Sequence, residues 1–570
     1  MANIIVDPAG TGDYTTIRSA FTGCTSGDTL LLRRGVYDHA TYIYFDAAKT
    51  VTIKPEYGVE TLNFNDTGAA ESSNALMISQ SANITFENIL FNFANANYGG
   101  SQANNQYMVY VYSGATSAVL KFKNCSNKIN GVYTPLRDGL LLNLIGMNTL
   151  EFDNCDFAIN NATTAAKGHL LYWNETITNM TIKNSRMEMI EDAILDKVNA
   201  TSSKITNLVV TNNFIKGTQY FTKSSNNVGA VKNFVNVNIT GNTFEDAAVA
   251  LGGEITSASG SSLWTPIAYA EGDPIHYDGA AVVPGTERNA GATYIANAVT
   301  TGADVPGTSD KWDIAAYTTG TISNNIIKDV AATALVHGLS LFGGCYDFTV
   351  HNNLVYGWSY QIVLKSLGHD VKNCVARGIA PIGLFGADNT VIDNCTFIST
   401  TTSYHCCAVS AQNTGLKVSE NCTVKNSVLI NVGSSNDSLC VDDLGRCGSS
   451  NVWGLTLENN VYYKEQAGNF SDYVGTTYSN DASGLTALKA EFTNDGSLLT
   501  NPDLFVDDAL TKWMEATPKD SSVLAMSPVV GGAASKGNYA TYKKKLLLYN
   551  QPQNNKYFDI RKYEKGGRTE

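Results

Sequence analysis

One short pattern restricts this chain more than any other feature: an apolar residue, a polar residue, Asn, and then usually Asn, Cys or Ser. It is written around Phe86-Glu87-Asn88, Phe122-Lys123-Asn124, Phe152-Asp153-Asn154, Ile182-Lys183-Asn184 and Val210-Thr211-Asn212. After a gap it returns at Ile322-Ser323-Asn324, Val350-His351-Asn352, Val371-Lys372-Asn373, Ile392-Asp393-Asn394, Val424-Lys425-Asn426 and Leu457-Glu458-Asn459. Successive Asn residues lie 36, 30, 30 and 28 residues apart before the gap, and 28, 21, 21, 32 and 33 after it. A motif at such a period marks a stacked repeat, in which each unit buries its apolar face only against its neighbours.

Alternating apolar and polar residues around each Asn read as short strands. Charged residues make up only 16% of the chain and Pro is scarce, which suits strands and polar corners. In a parallel stack, equivalent Asn side chains can hydrogen-bond from coil to coil and satisfy turn backbone that would otherwise be stranded. Cys125, Cys155, Cys374 and Cys395 follow a repeat Asn directly and read as small apolar side chains stacked inward. The state of Cys406, Cys407, Cys440 and Cys447 is left open, and no Cys spacing matches a zinc site.

The formal net charge of −13 argues against a nucleic-acid partner, which needs a basic face. No run approaches the ~20 apolar residues of a membrane span. The opening Met1-Ala2-Asn3-Ile4-Ile5 lacks a basic start and a long apolar stretch, so a secretory leader is not expected.

The stretch Asp7-Pro8 … Gly10-Thr11-Gly12-Asp13-Tyr14 … Thr16-Ile17 … Ala20, followed by Gly27-Asp28-Thr29 … Leu32 and Gly35-Val36-Tyr37, resembles the opening of pectin-lyase-like proteins. That resemblance implies an all-β fold, a right-handed single-stranded parallel β-helix, with a short helix capping its first coil. Roughly a dozen coils at about 4.8 Å each give a rod about 60 Å long. The expected divisions are a cap and first coil over 1–60, coils over 61–255, an inserted small β module over 256–318, coils over 319–470, and a C-terminal cap with a basic tail over 471–570. The insert carries Trp264, Tyr269-Ala270-Glu271-Gly272-Asp273, Tyr277-Asp278-Gly279, Tyr294-Ile295-Ala296, Pro306 and Trp312. This order is similar to the chitin-binding type of carbohydrate-binding module, which implies sugar contacts through Trp264, Tyr277, Tyr294 and Trp312. In so small a module the same aromatics also serve as its core.

Aligning the strands that precede the Asn motifs puts Asn143, Trp173, Asp196, Phe342, Lys365 and Phe385 in one column, with His337 among the residues at strand ends. Strand side chains alternate, so this column is expected to face outward. Trp173, Phe342 and Phe385 on an outer face need something to meet: a sugar ring, a neighbouring subunit, or else a different register. Lys365-Ser366 before the next Asn motif resembles the Lys-Ser of the alginate and chondroitin lyase family. There a Lys removes the proton α to a uronate carboxylate and an Arg one coil on assists. Here the matching place holds Gly383-Leu384-Phe385-Gly386. A hydrolase would want paired carboxylates, for which Asp192 and Asp196, near Glu188 and Glu191, are the local candidates; the same cluster could take Ca²⁺.

These features suit a phage tail spike or tail fibre that binds a host surface polysaccharide, with or without depolymerase activity. It would be a homotrimer on a virion beside other tail proteins. The alternatives are a secreted polysaccharide lyase or glycoside hydrolase acting on an acidic glycan, and a purely structural virion or surface protein.

Overall fold

The computed structural model describes residues 1–500 apart from short stretches, the longest being 65–74, 94–106, 130–139, 159–168, 225–233, 253–261, 278–291, 411–418 and 443–451; beyond 500 it describes Ser522 and Met526. Three parallel sheets run the length of a β-helix. Sheet A stacks 15 strands from Asn3–Val6 to Thr456–Glu458, and sheet B stacks 15 from Tyr37–His39 to Leu498–Leu499. Sheet C runs from Ile43–Phe45 to Asn469–Tyr473 and ends in an antiparallel hairpin with Thr476–Ser479. The Asn motif marks fewer coils than there are, because the first strands of sheet A lack it.

The motif forms the bend between sheets A and B. Its Asn residues take positive φ, from 50° at Asn426 to 57° at Asn324, a left-handed conformation that Asn tolerates better than other side-chain-bearing residues. Their amides form an outer ladder, with Asn124 donating to Asn88 at 3.0 Å and Asn154 to Asn124 at 2.6 Å. The following residue points inward. Where it is Asn, a second, fully buried ladder forms: Asn213 donates to Asn242 at 2.9 Å, Asn242 to Asn325 at 3.0 Å, and Asn325 to Asn353 at 3.0 Å. Where it is Cys, the thiol is buried; all ten described cysteines are free and buried, and Cys447 lies outside the described residues.

Apolar residues before the motif fill the interior. Phe86, Phe122 and Phe152 stack on consecutive coils at 5.7 and 5.2 Å. The rod's first coil is closed by the helix Ile17–Gly23, which buries Ile17, Ala20 and Phe21 and sets Phe21 edge-on to Phe45 at 5.0 Å. Lys49 donates to the carbonyls of Phe21, Thr22 and Cys24, each at 2.8 Å, satisfying that helix's C-terminal end. No helix among the described residues is long and apolar enough to cross a membrane.

Between the strands Ala248–Leu251 and Thr319–Ser323 the chain leaves the coils and forms a separate four-stranded sheet: Ser262–Leu263, Pro274–Tyr277, Ala292–Ala296 and Trp312–Ile314. Its core of Tyr269, Ile275, Tyr294, Ala296 and Trp312 is continuous with Tyr346 and Leu367 of the coils.

Candidate functional site

Two of the three outer faces are occupied by the chain's own side chains. On sheet A, Glu151 is held by Lys121 at 3.3 Å and Lys183 at 2.9 Å. On sheet B, Glu245 is held by Lys216 at 2.9 Å and Lys328 at 2.8 Å. Farther along sheet B, Ile398, Val428, Ile430 and Val461 form a buried cluster against which Met526 packs. Sheet C differs.

Strand register aligns its residues in columns. One runs Tyr44, Met77, Tyr110, Asn143, Tyr172, Asp196, Lys223, and beyond the insert Ser340, Val363, Gly383, Ala408, Asp442. The next outward column, two residues further along each strand, holds Phe342, Lys365 and Phe385 on consecutive coils, each directly after the paired Leu341, Leu364 and Leu384.

Phe342 and Phe385 are half-buried on this face. The Lys365 ammonium lies 5.0 Å from the centre of the Phe342 ring, within cation–π range, and Lys365 is 5% exposed. His337 meets Phe342 at 5.8 Å and Tyr360 at 5.1 Å, and Tyr360 meets Phe385 at 5.8 Å. Beneath them Ser340 and Val363 are fully covered. The Phe385 ring lies back over Gly383, so close that a Cβ there would fall 2.5 Å from the ring. Pairing shifts between Leu364 and Ser366, leaving Phe385 and Gly386 opposite Lys365 as a bulge, with Gly386 at φ +67. Fully buried His369 donates Nε2–H to the Lys365 carbonyl at 2.7 Å, pinning the strand end. The result is a strip of four rings, one of which, Phe342, lies against the Lys365 ammonium, bordered by the insert, whose core seats on Leu367, two residues from Lys365 on the same face.

The sequence-based column splits: Asn143 and Asp196 share one register position, Phe342, Lys365 and Phe385 share the position two residues further along, and Trp173 falls one residue off the first. Tyr172 pairs with Asn143 and Asp196, while Trp173 pairs with Leu144 and is fully buried. A one-residue slip exchanges the two faces of a strand, so Trp173 packs the core and is not a sugar contact. Tyr294 and Trp312 are also core, 3% and 6% exposed, with the Trp312 indole donating to the Asp304 carbonyl at 2.8 Å; burial removes both as ligand contacts. Tyr277 ends the strand Pro274–Tyr277 opposite Ala292. Its side chain, that of Asp196, and the whole of Asp192 and Trp264 lie outside the described residues. Glu188 belongs to sheet B, Asp196 to sheet C, and Glu188 is ion-paired with Arg186. Among the described residues no group of three carboxylate, His or Cys side chains is placed to hold a metal ion. His337 and Tyr360 complete the strip; their signal in the sequence is their equivalent position on neighbouring strands.

No family profile and no curated protein matches the chain. Solved structures do. A mannuronic acid specific polysaccharide family 6 lyase from human gut microbiota matches over 95% of this chain and 100% of its own, at 12% identity and TM-score 0.42. PfbA, a surface adhesin of Streptococcus pneumoniae, matches over 80% and 87%, at 14% identity and TM-score 0.36. Tailspike protein 3 of bacteriophage CBA120 matches over 78% of this chain and 54% of its own, at 12% identity and TM-score 0.37, so the chain spans about half of that tailspike. The likeness at these identities is one of fold, the parallel β-helix.

Proposed function

We propose that this protein binds a polysaccharide on the outer face of sheet C, as a tail spike or tail fibre engages a host surface glycan. The observation that carries the reading is the strip of half-buried rings, Phe342, Tyr360, Phe385 and His337, in contact with one another. Half-buried rings facing outward offer flat apolar surfaces for sugar faces. A lyase reading has Lys365 in its favour. Against it, the next coil sets Phe385 and Gly386 opposite that lysine, where a second cation would be wanted. Binding is therefore favoured over catalysis, and the homotrimer and virion location belong to the same proposal.

Affinity electrophoresis of the full chain through gels containing acidic and neutral bacterial surface polysaccharides tests this. Retardation by at least one polysaccharide is expected, and its loss in Phe342→Ala/Phe385→Ala with an unchanged circular-dichroism spectrum. Undiminished retardation in the double variant would remove the site. Release of ultraviolet-absorbing unsaturated product, abolished by Lys365→Ala, would replace the binding reading with the lyase one. A monomer at micromolar concentration in sedimentation would exclude the trimeric spike.

A further inference from the structure

The outer face of sheet B changes character along the rod. Up to Lys328 its outward side chains pair by charge, Arg186 with Asp156, and Glu245 with Lys216 and Lys328. From Ile326 onward one register column reads Ile326, Leu354, Val375, Thr396, Val428, Val461 on consecutive coils. The column two residues along turns apolar at Ile398 and Ile430. Residues between the columns, such as Phe397 and Leu429, belong to the interior, so both columns face out. Yet Val428 and Val461 have no exposed surface, and Ile326, Leu354, Ile398 and Ile430 keep at most 5%. Side chains standing outward from a sheet are enclosed only by something laid over it, and in a single copy that something is the chain itself.

Two observations say which part of the chain. The last strand of sheet B, Leu498–Leu499, hands the chain out at the end of this face, where Thr500 donates its backbone N–H to the Tyr462 carbonyl at 3.0 Å. Met526 then packs on the cluster of Ile398, Val428, Ile430 and Val461, so by Met526 the chain has come back over the outside of sheet B. From Leu498 to Ile326 the face measures six strand spacings, about 29 Å, which about nine extended residues span. Residues 527–570 are ample for that, and they include the apolar run Leu546-Leu547-Leu548-Tyr549.

We propose that the chain beyond Thr500 is a strap laid along the outer face of sheet B, from Leu498 back to Ile326. It closes this face to any other partner, a second copy of the chain included, so contacts between subunits use another side of the rod. The inference is independent of the glycan reading of sheet C.

Photo-crosslinking in the full chain tests it, with p-benzoylphenylalanine in place of Tyr463 or of Tyr356, which lie towards opposite ends of this face. Mixing ordinary and heavy-isotope copies tells links within one copy from links between copies. Both positions should link within one copy to peptides beyond Thr500, and Tyr356 to peptides beyond Met526. Links between light and heavy copies would give the face to a second copy and overturn the proposal. Links confined to coil residues at either position would overturn it as well. Met526→Asp changes the strap and no coil residue. It should speed tryptic cleavage at Lys543–Lys545 on the order of tenfold, as expected for losing one buried apolar contact that holds a segment closed, with an unchanged circular-dichroism spectrum. Cleavage at the original rate would overturn the strap, because a docked segment opens more often once its contact is removed.

Discussion

At the scale of single residues, the Asn that repeats along the chain is a conformational device. Asn324 sits at φ 57° and donates its backbone N–H to His351 at 3.0 Å. Replacing it with Val should lower stability by about 1–2 kcal/mol, whereas Gly should be nearly neutral, as read from thermal melts. The inward Asn242 both accepts from Asn213 and donates to Val210 and Asn325; Asn242→Leu strands those partners in the core and should cost about 3 kcal/mol. His39 is stacked on Phe64 at 5.4 Å with an enclosed Nε2, and burial pushes its pKa down to about 4. Its folded pKa lies below the unfolded value of about 6.5, so the folded state takes up the proton later. Stability is full above pH ~6.5 and falls as pH drops towards ~4, by about 3 kcal/mol in all. His39→Phe should flatten that part of the pH–stability curve. The Asn and Cys positions were legible in the sequence because their period repeats. The left-handed backbone was not, since the period says where a residue recurs and not which way its chain turns.

At the scale of elements, the Asn motif fixes register on sheets A and B, which it joins. Sheet C is reached from it through connections of changing length, so the motif cannot say which of Tyr172 and Trp173 faces out. Past Asn352 the connections shorten, and Lys365 and Phe385 there share a register position with Phe342 of the coil before, two residues along from the column of Asn143 and Asp196. The contact of the insert with Tyr346 and Leu367 joins side chains far apart in sequence, and no local pattern announces it. Two consequences can be measured. Gly383→Ala sets a Cβ against the far edge of the Phe385 ring, a movable group. The melting temperature should change by only a few degrees, while the polysaccharide retardation described above weakens. Tyr346→Ala removes a coil residue from the core of the insert. Limited proteolysis should then cut the insert sooner and leave the coils intact.

At the scale of the whole molecule, each coil is stabilised mainly by its two neighbours, so the rod need not open as one unit. The ten free, buried cysteines between Cys24 and Cys440 report on this. Burial pushes Cys125 and Cys440 up to about 12, which leaves little thiolate at neutral pH. Native protein should resist maleimide, and in rising urea the cysteines of different coils should become reactive at different concentrations. Coil length carries a last consequence. The coils from Asn352 to Asn373 and from Asn373 to Asn394, which bear Lys365 and Phe385, have 21 residues each, against 28 and 32 on either side. Two three-residue strands, the eight-residue strand Tyr360–Leu367 and their bends use nearly all of a 21-residue coil, leaving little chain for an overhang. The rod's own coils therefore narrow to a waist at the strip, with the insert seated beside it on Leu367. A polymer can be laid across a waist anywhere along its length, with no free end to find and nothing to thread, so capture should scale with the number of repeat units in the polymer and be indifferent to the number of chain ends.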